Sequence, residues 1–303
     1  MKSNIANVQR ATSYPVIGRL VSRFLKTTGK FLNLPPDLEV FLNTSARPSY
    51  AYCVYHAAEL ACRLNLKRIS VLEFGVAGGN GLLFLERFAK RVETAVGVQI
   101  EVYGFDTGGG LPRVTEPEDL PYWFQSSQYK MQVAALESER TSATLVLGDV
   151  KDTVGDFFAK YKPAPVGAIL NDLDLYSSTS DSLKLFDGET ANFLPRVFLY
   201  FDDIVGSEYE MYGDCNGQLL AISEYNERSK DVHIGLNQNL LPKTEISYRY
   251  QIYYAHLRKH SMYGHYVGGR EQLRIESDLQ LQDASKHKLN GRMKKVVEGP
   301  LLS

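Results

Sequence analysis

The chain has 303 residues, of which 44% are hydrophobic and 23% charged, and its formal net charge at pH 7 is −1. These values fit a globular protein with a large core, and the near-neutral charge gives no reason to expect a nucleic-acid partner. The three cysteines, Cys53, Cys62 and Cys215, have no C-x-x-C spacing, which argues against a disulfide framework or a zinc site and favours a cytoplasmic location.

The first thirty residues contain six basic side chains and no acidic one. Apolar residues from Val16 to Leu25 recur among them at helical spacing, which predicts a basic amphipathic helix. We expect this helix to pack on its own domain or on a second subunit of a homo-oligomer. Contact with a membrane surface or a partner protein is the less favoured alternative, and no apolar run reaches the length of a membrane span.

Strand and helix patterns alternate from Ile69 onward, which predicts an α/β fold with a doubly wound, mostly parallel sheet covered on both faces. A helix from Tyr50 to Leu64 precedes the first strand, and others are expected near Gly81, Tyr122, Thr153, Ser178 and from Gly217 to Glu227. The seven predicted strands are Ile69–Phe74, Val98–Phe105, Thr144–Leu147, Val166–Leu170, Val197–Phe201, Val232–Leu236 and Arg249–His256, the last two forming a hairpin-like pair.

A glycine-rich turn follows the first predicted strand, in the stretch Val71-Leu-Glu-Phe-Gly-Val-Ala-Gly-Gly-Asn-Gly81. Glycines allow positive φ angles and close approach of a ligand, and the helix that begins beyond them offers free N–H groups. The spacing of Gly75, Gly78, Gly79 and Gly81 does not give the G-x-G-x-x-G of dinucleotide-binding folds. The turn therefore predicts a nucleotide-type ligand but argues against a nicotinamide cofactor.

Every predicted parallel strand ends at an acidic residue, where ligands of such sheets bind. These residues are Glu73, Asp106, Asp149, Asp172 with Asp174, and Asp202 with Asp203. Asp106, after the second strand, is placed to accept hydrogen bonds from ribose hydroxyls. Asp149 either accepts a hydrogen bond from an adenine amino group or only caps the helix that follows it.

The acidic residues after the fourth and fifth strands predict a metal site. Neighbouring loops would bring together Asp172, Asp174, Asp202 and Asp203, which repel one another unless a cation or protons neutralise them. Oxygen ligands without an adjacent His or Cys suit Mg²⁺, which would bind a substrate hydroxyl and lower its pKa. The alternative is that these residues only cap helices.

The motifs together resemble those of class I S-adenosylmethionine-dependent methyltransferases, and within them the macrocin O-methyltransferase family of metal-dependent sugar O-methyltransferases. The glycine turn is similar to the family's first motif, and Val102-Tyr-Gly-Phe-Asp-Thr-Gly-Gly-Gly-Leu-Pro112 to its strand-two motif. Gly148-Asp-Val-Lys-Asp-Thr153 resembles its third-strand motif, while Asp172-Leu-Asp-Leu-Tyr-Ser-Ser-Thr179 and Tyr200-Phe-Asp-Asp203 resemble its metal-site motifs.

The resemblance implies a Rossmann-like methyltransferase fold with a seven-stranded sheet. It divides the chain into an N-terminal helical arm (1–49), an S-adenosylmethionine-binding domain (50–256) and a C-terminal extension (257–303). It further implies that Glu73, Gly75, Gly79 and Asp106 hold S-adenosylmethionine. In the same way it implies that Mg²⁺ is bound by Asp172, Asp202 and Asp203.

We expect the activity to be O-methylation of a small-molecule acceptor, either a natural product or a sugar or glycan. The catalytic candidate is Asp172, which binds metal and takes the proton, and the weaker alternative base is Asp174 or a histidine such as His233. Aromatic residues near Tyr50 or near Tyr122 and Tyr129 either form a lid or simply pack in the core. Two other classes stay open: a non-enzymatic binding or assembly protein on this scaffold, and a nicotinamide-dependent oxidoreductase.

Overall fold

The computed structural model describes residues 34–269. The predicted N-terminal helix and most of the C-terminal extension lie outside the described residues. The chain separates into two compact units, Met1–Tyr263 and Gly264–Ser303. All helices and strands given below belong to the first unit, and the described residues of the second, 264–269, contain neither helix nor strand.

The described part of the first unit contains eight α-helices and seven β-strands, joined by loops and short 3₁₀ turns. The helices are α1 (Pro36–Leu42), α2 (Pro48–Arg63), α3 (Asn80–Val96), α4 (Val133–Glu139), α5 (Val150–Thr153), α6 (Phe157–Tyr161), α7 (Tyr176–Leu183) and α8 (Gly217–Arg228). The strands are β1 (Arg68–Phe74), β2 (Gln99–Asp106), β3 (Thr144–Leu147), β4 (Val166–Asn171), β5 (Phe193–Phe201), β6 (Val232–Leu236) and β7 (Ile252–Leu257).

The seven strands form one sheet in the order β3-β2-β1-β4-β5-β7-β6. The first five strands are parallel, and β7 runs antiparallel to both β5 and β6. The strand order reverses between β1 and β4, so the chain leaves these neighbours in opposite directions and opens a crevice at their carboxyl ends. Phe74 at the end of β1 pairs with Phe105 on β2 and Asn171 on β4, which sets the ends of all three strands level.

Alternating side chains of the strands pack against two separate layers of helices, because successive residues of a strand point to opposite faces. On β5, Val197 and Leu199 belong to a large apolar cluster that also contains residues of α6, α7 and α8. On the opposite face, the rings of Phe198 and Tyr200 lie against aromatic residues of α2. Helix α2 approaches the sheet closely, since four buried alanines lie on it: Ala51, Ala57, Ala58 and Ala61.

The predicted fold class, a doubly wound and mostly parallel seven-stranded sheet, is confirmed. All seven predicted strands are present, although β5 begins at Phe193 rather than Val197 and β7 begins at Ile252 rather than Arg249. The helix expected near Tyr122 is wrong, because residues 120–132 form turns and the helix begins at Val133. Positive φ angles at Leu120, Ser127 and Tyr129, which a right-handed helix does not accept, account for the difference.

Within residues 34–269, no helix is long and apolar enough to span a membrane.

Candidate active site

A cavity of about 430 Å³ opens at the carboxyl ends of the parallel strands. Apart from Arg47, the described residues that line it come from the ends of the parallel strands, from the glycine turn and from the segments that follow β2, β3, β4 and β5. Eight of the predicted site residues line this cavity: Glu73, Gly75, Asp106, Asp149, Asp172, Asp174, Asp202 and Asp203. Gly79 does not line it, and it lies instead at the N-cap of α3.

The glycines of the turn are required by close contacts as well as by backbone angles. Gly75 has a φ of +86°, and a Cβ atom there would lie 1.7 Å from the carbonyl oxygen of Asp172. A Cβ atom on Gly81 would lie 1.8 Å from Oε1 of Glu73. At Gly79, with a φ of +84°, the nearest atom would be Cδ1 of Leu136 at 2.5 Å. These glycines therefore allow β1, the start of α3 and the end of β4 to meet at the cavity wall.

Glu73 is a buried carboxylate with an unused acceptor. Its side chain is 1% exposed. Oε1 accepts a hydrogen bond from the hydroxyl of Tyr50 at 3.0 Å, whereas Oε2 is buried and has no hydrogen-bond partner among the described residues. Burial, and then the negative charge of Asp172, raise the pKa of Glu73 well above its usual value. A donor from a ligand in the cavity would satisfy the free oxygen.

Asp106 connects β2 to the glycine turn. Its Oδ2 accepts hydrogen bonds from the backbone N–H groups of Val76 at 3.0 Å and Ala77 at 2.9 Å, and its Oδ1 accepts one from Gly108 at 2.6 Å. A carboxylate has about four acceptor positions, so these three hydrogen bonds leave one position for a ligand, and Asp106 lines the cavity. Asp106 thus has a structural role in shaping the turn in addition to the ribose-binding role predicted for it.

Asp149 caps a helix and also lines the cavity. It is the N-cap of α5 and accepts a hydrogen bond from the backbone N–H of Lys151 at 3.2 Å. The same side chain lies at the cavity wall after β3. Capping therefore does not exclude contact with a ligand.

Three carboxylates converge on the side of the cavity formed by β4 and β5. Asp172, Asp202 and Asp203 each offer an oxygen, and these three oxygens lie within 4.8 Å of one another. Burial, followed by the charge of Asp202, raises the pKa of Asp172 to about 7. Burial and the charge of Asp174 raise the pKa of Asp203 well above its usual value. Such a cluster binds protons near neutral pH unless a cation replaces them.

Asp174 lies beside this cluster but is not part of it. It lines the cavity, and its φ of +59° is in the left-handed region. Its backbone N–H donates a hydrogen bond to Oδ2 of Asp203 at 3.1 Å, which fixes the loop. Burial, followed by the charges of Asp172 and Asp202, raises the pKa of Asp174 to about 7.

A tyrosine hydroxyl contacts each of the three clustered carboxylates. Tyr50 lies 3.2 Å from Oδ2 of Asp172, Tyr212 lies 3.3 Å from Oδ1 of Asp203, and Tyr200 donates to Oδ1 of Asp202. Two glutamines support the same loops. Gln251 donates to the carbonyl oxygen of Asp202 at 2.8 Å, and Gln218 accepts from the N–H of Asp203 at 3.0 Å. The orientation of the carboxylates is therefore fixed by their surroundings.

The structure does not bring every candidate to the cavity. His233 is exposed on β6 and does not line it. Of the aromatic residues considered as a lid, Tyr129 lines the cavity and is 54% exposed, whereas Tyr50 is 1% exposed and lies beneath the cavity wall. Tyr122 is also exposed, and its hydroxyl donates to the carbonyl oxygen of Glu210 at 3.0 Å, which links the loop after β2 to the loop after β5.

Sequence reasoning missed Arg47, which precedes α2 and lines the cavity. It also missed the tyrosines and glutamines that contact the acidic cluster. Tyr200 was within reach of such reasoning, because it lies two residues before Asp202 and side chains two residues apart on a strand share a face. No sequence pattern indicates Arg47, since only the packing of α2 brings the first turn of that helix over the strand ends.

No family model matches the sequence, and no curated protein matches it. Several solved structures show a similarity of fold. The calicheamicin methyltransferase CalS11 is 17% identical, with 79% of this chain and 92% of that chain covered and a TM-score of 0.49. The O-methyltransferase NovP is 16% identical, with 70% and 82% covered and a TM-score of 0.46. MycE methyltransferase from the mycinamycin pathway, in complex with Mg, SAH and mycinamycin VI, is 10% identical, with 68% and 50% covered and a TM-score of 0.37.

The sheet itself identifies the fold. Five parallel strands in the order β3-β2-β1-β4-β5 are followed by an antiparallel β7 that lies between β5 and β6, and a glycine turn follows β1. This is the class I methyltransferase fold. In this methyltransferase fold the cavity occupies the switch point of the sheet, between the glycine turn and the acidic cluster.

Proposed function

We propose that this protein is a Mg²⁺-dependent O-methyltransferase that transfers the methyl group of S-adenosylmethionine to a hydroxyl group of a small molecule or sugar. The observation that carries this proposal is that a single cavity is lined both by the glycine turn of β1 and by the converging carboxylates of Asp172, Asp202 and Asp203. The glycine turn suits a methyl donor, and the three carboxylates suit a metal ion that binds the acceptor.

The charge of the cavity supports a cationic occupant. Within residues 34–269, seven acidic residues line it and one basic residue, Arg47, does so. No His or Cys lies among the lining residues, so the donor set consists of oxygens and suits Mg²⁺ rather than zinc. Asp172, Asp202 and Asp203 would hold the ion. Bound there, Mg²⁺ would orient an acceptor hydroxyl and lower its pKa.

The other half of the cavity would hold the donor. The open acceptor position of Asp106 would bind a ribose hydroxyl, Asp149 would accept from the adenine amino group, and Glu73 would face the amino-acid part. S-adenosylmethionine supplies a methyl group on a positively charged sulfur, which transfers by in-line displacement. The chain's own contribution is therefore mainly to align the acceptor oxygen with that methyl group and to exclude water.

Asp174 suits the role of general base better than Asp172 does. Asp172 belongs to the group that would bind the metal, whereas Asp174 lies beside that group and still lines the cavity. A carboxylate that lines the cavity without being one of the three converging ligands is free to accept the proton of an acceptor hydroxyl. The hydrogen bond from its N–H to Asp203 would keep the general base next to the metal ligands.

A methyl-transfer assay tests the proposal. The intact protein would be incubated with S-adenosylmethionine labelled in the methyl group and a panel of glycosides, free sugars and phenols, in Mg²⁺ or in EDTA. We expect label to pass to a hydroxyl only in Mg²⁺, and the rate to fall at least ~100-fold in Asp202→Asn. The matched control is Asp187→Asn, which changes an exposed acidic residue paired with Arg228.

Two results would contradict the proposal. Equal transfer in Mg²⁺ and EDTA would remove the metal from the reaction while leaving the methyl donor in place. Binding of S-adenosylmethionine and Mg²⁺ without transfer to any acceptor in the panel would favour the alternative, a binding or assembly protein on the same scaffold.

A further inference from the structure

A second cavity, of about 350 Å³, lies apart from the candidate active site. Its walls are formed by α1, by the middle of α2 and by the loop that joins β6 to β7. Within residues 34–269, no residue lines both cavities. The second cavity is therefore a separate surface, to which the proposed function assigns no ligand.

The second cavity is mainly apolar. Of the fourteen described residues that line it, eight are valine, leucine, isoleucine, phenylalanine or tyrosine. Phe41 of α1 is one of them, and 43% of its surface is exposed. Contiguous apolar surface that opens to solvent is typical of a site that binds another apolar surface.

The basic segment, residues 1–33, joins the described part of the chain beside this cavity. The carbonyl oxygen of Leu34 accepts a hydrogen bond from Nη2 of Arg91 at 2.5 Å, and α1, one wall of the cavity, begins at Pro36. Helix α1 has seven residues and is ~10 Å long, whereas the eight residues 26–33 can span up to ~26 Å. The stretch from Val16 to Leu25 can therefore reach the cavity.

The sequence of the basic segment complements the second cavity in two ways. Its apolar residues recur at helical spacing, the pattern by which an amphipathic helix fills an apolar groove. It also carries six basic and no acidic side chains. The described residues that line the cavity include three acidic ones, Asp37, Glu59 and Glu245, against one lysine and one histidine. Opposite charges around the apolar contact favour this pairing.

We propose that the apolar side chains between Val16 and Leu25 pack into the second cavity of the same chain. A covalently attached segment acts at an effective concentration in the millimolar range, which favours it over a second copy of the protein. Packed there, the segment would hold α2 and the loop between β6 and β7. These two elements also supply Tyr50, which contacts Asp172, and Gln251, which donates to Asp202.

Hydrogen exchange of the intact protein, followed by mass spectrometry, tests the contact. Phe24→Asp places a charge among the apolar side chains, and we expect α1 and residues 240–248 to exchange ~10-fold faster in this variant. Ser22→Asp is the matched control, because two residues correspond to ~200° around a helix and the same charge then lies on the opposite side. Unchanged exchange in Phe24→Asp, or an equal rise in Ser22→Asp, would overturn the proposal.

Phe41→Asp tests the same contact from the cavity side and leaves the basic segment unaltered. We expect residues 16–25 to exchange ~10-fold faster in Phe41→Asp than in the wild type. Tyr209→Asp, which replaces an exposed aromatic residue that lines neither cavity, should leave their exchange unchanged. Exchange of residues 16–25 that is equal in the wild type and in Phe41→Asp would also overturn the proposal.

Cross-linking of lysines identifies which chain supplies the segment. Lys243 lines the second cavity and is exposed, and Lys26 directly follows the apolar stretch. In an equal mixture of isotope-labelled and unlabelled protein, we expect cross-links between Lys26 and Lys243 to stay within one chain. Lys160, on α6 at the opposite face of the sheet, is the control and should not cross-link to Lys26. Cross-links between labelled and unlabelled chains would assign the cavity to a second copy and overturn the proposal.

Discussion

Gly75 determines how closely the end of β1 approaches the end of β4. Its φ is +86°, and a Cβ atom would lie 1.7 Å from the carbonyl oxygen of Asp172, which is backbone and has little freedom to move. We expect Gly75→Ala to lower the free energy of unfolding by more than ~4 kcal/mol, because it adds a backbone clash to an unfavourable φ. Chemical denaturation measures the loss.

Gly97 provides the control for the effect of φ alone. Its φ is +79°, and a Cβ atom there would meet nothing within 4 Å. Gly97→Ala should therefore cost only ~1–2 kcal/mol, the cost of the left-handed conformation. Equal losses at the two positions would mean that the close approach of β1 and β4 is not what requires Gly75.

The tyrosine hydroxyls that contact the acidic cluster should affect metal affinity. Tyr200 contacts Asp202, and Tyr212 contacts Asp203. Loss of a group that orients a metal ligand typically weakens binding ~10- to 100-fold, so we expect that loss in Tyr200→Phe and in Tyr212→Phe. Electron paramagnetic resonance of free Mn²⁺ measures it directly, without turnover. Tyr225→Phe, a buried tyrosine of α8 that does not line the cavity, should bind Mn²⁺ normally.

Among single residues, the acidic residues of the site are easier to predict from the sequence than the other residues that line or support it. Asp106 and Asp202 directly follow apolar runs, Asp172 follows one after Asn171, and strand ends of a parallel sheet share one edge. Arg47 lies on a helix that only tertiary packing places over that edge. Its position at the cavity therefore cannot be predicted from its place in the sequence.

Glu86 connects two elements that flank the cavity, α3 and the segment before β3. Its carboxylate is 4% exposed and accepts backbone hydrogen bonds from Thr141 at 2.9 Å and Ala143 at 2.6 Å, and another from Ser142. Although burial acts to raise it, these hydrogen bonds hold the pKa of Glu86 below its usual value. Glu86→Ala would leave the three donors without a partner.

We expect Glu86→Ala to lower the free energy of unfolding by about 3 kcal/mol, measured by urea denaturation. Because the folded-state pKa is depressed, this contribution is present above the unfolded value near pH ~4 and is lost as the pH falls through the folded value. Glu137→Ala, which removes an exposed ion pair with Arg140, should cost less than about 1 kcal/mol. A similar loss in both variants would contradict the structural role of Glu86.

At the scale of elements, strands are predicted well and the segment after β2 is not. Buried parallel strands are continuous apolar runs bounded by glycines and acids, so their ends can be read from the sequence. The segment from Leu120 to Met131 is also rich in apolar residues, and Leu120 and Phe124 form a small apolar cluster with Leu175. The amino-acid composition of this segment is typical of a buried helix or strand, but its positive φ angles make it a series of turns.

At the scale of the whole molecule, the acidic cluster should make stability depend on pH and Mg²⁺ together. The pKa values of Asp172 and Asp174 are raised to about 7 in the folded protein, whereas unfolded aspartate titrates near pH ~4. Protons therefore bind the folded state more tightly, and this stabilisation is lost as the pH rises from ~4 to ~7. We expect the Tm of the metal-free protein to fall over that range.

Mg²⁺ should reverse this loss, because it competes with protons for the same carboxylates. Thermal denaturation in EDTA and in Mg²⁺ measures the difference, which we expect to be larger at about pH 8 than at about pH 5.5. In Asp172→Asn the metal-free Tm should depend less on pH and respond less to Mg²⁺. A stabilisation by Mg²⁺ that is equal at both pH values and in both proteins would contradict a metal site at this cluster.

We propose that the cavity at the switch point of the sheet holds S-adenosylmethionine. Calorimetric titration of the intact chain with S-adenosylmethionine, and separately with NAD⁺, tests it most directly. We expect saturable binding of one S-adenosylmethionine per chain and no heat from NAD⁺, since the glycine turn lacks the spacing of a dinucleotide site. Binding of NAD⁺ in its place, or no binding of S-adenosylmethionine by the folded protein, would contradict it.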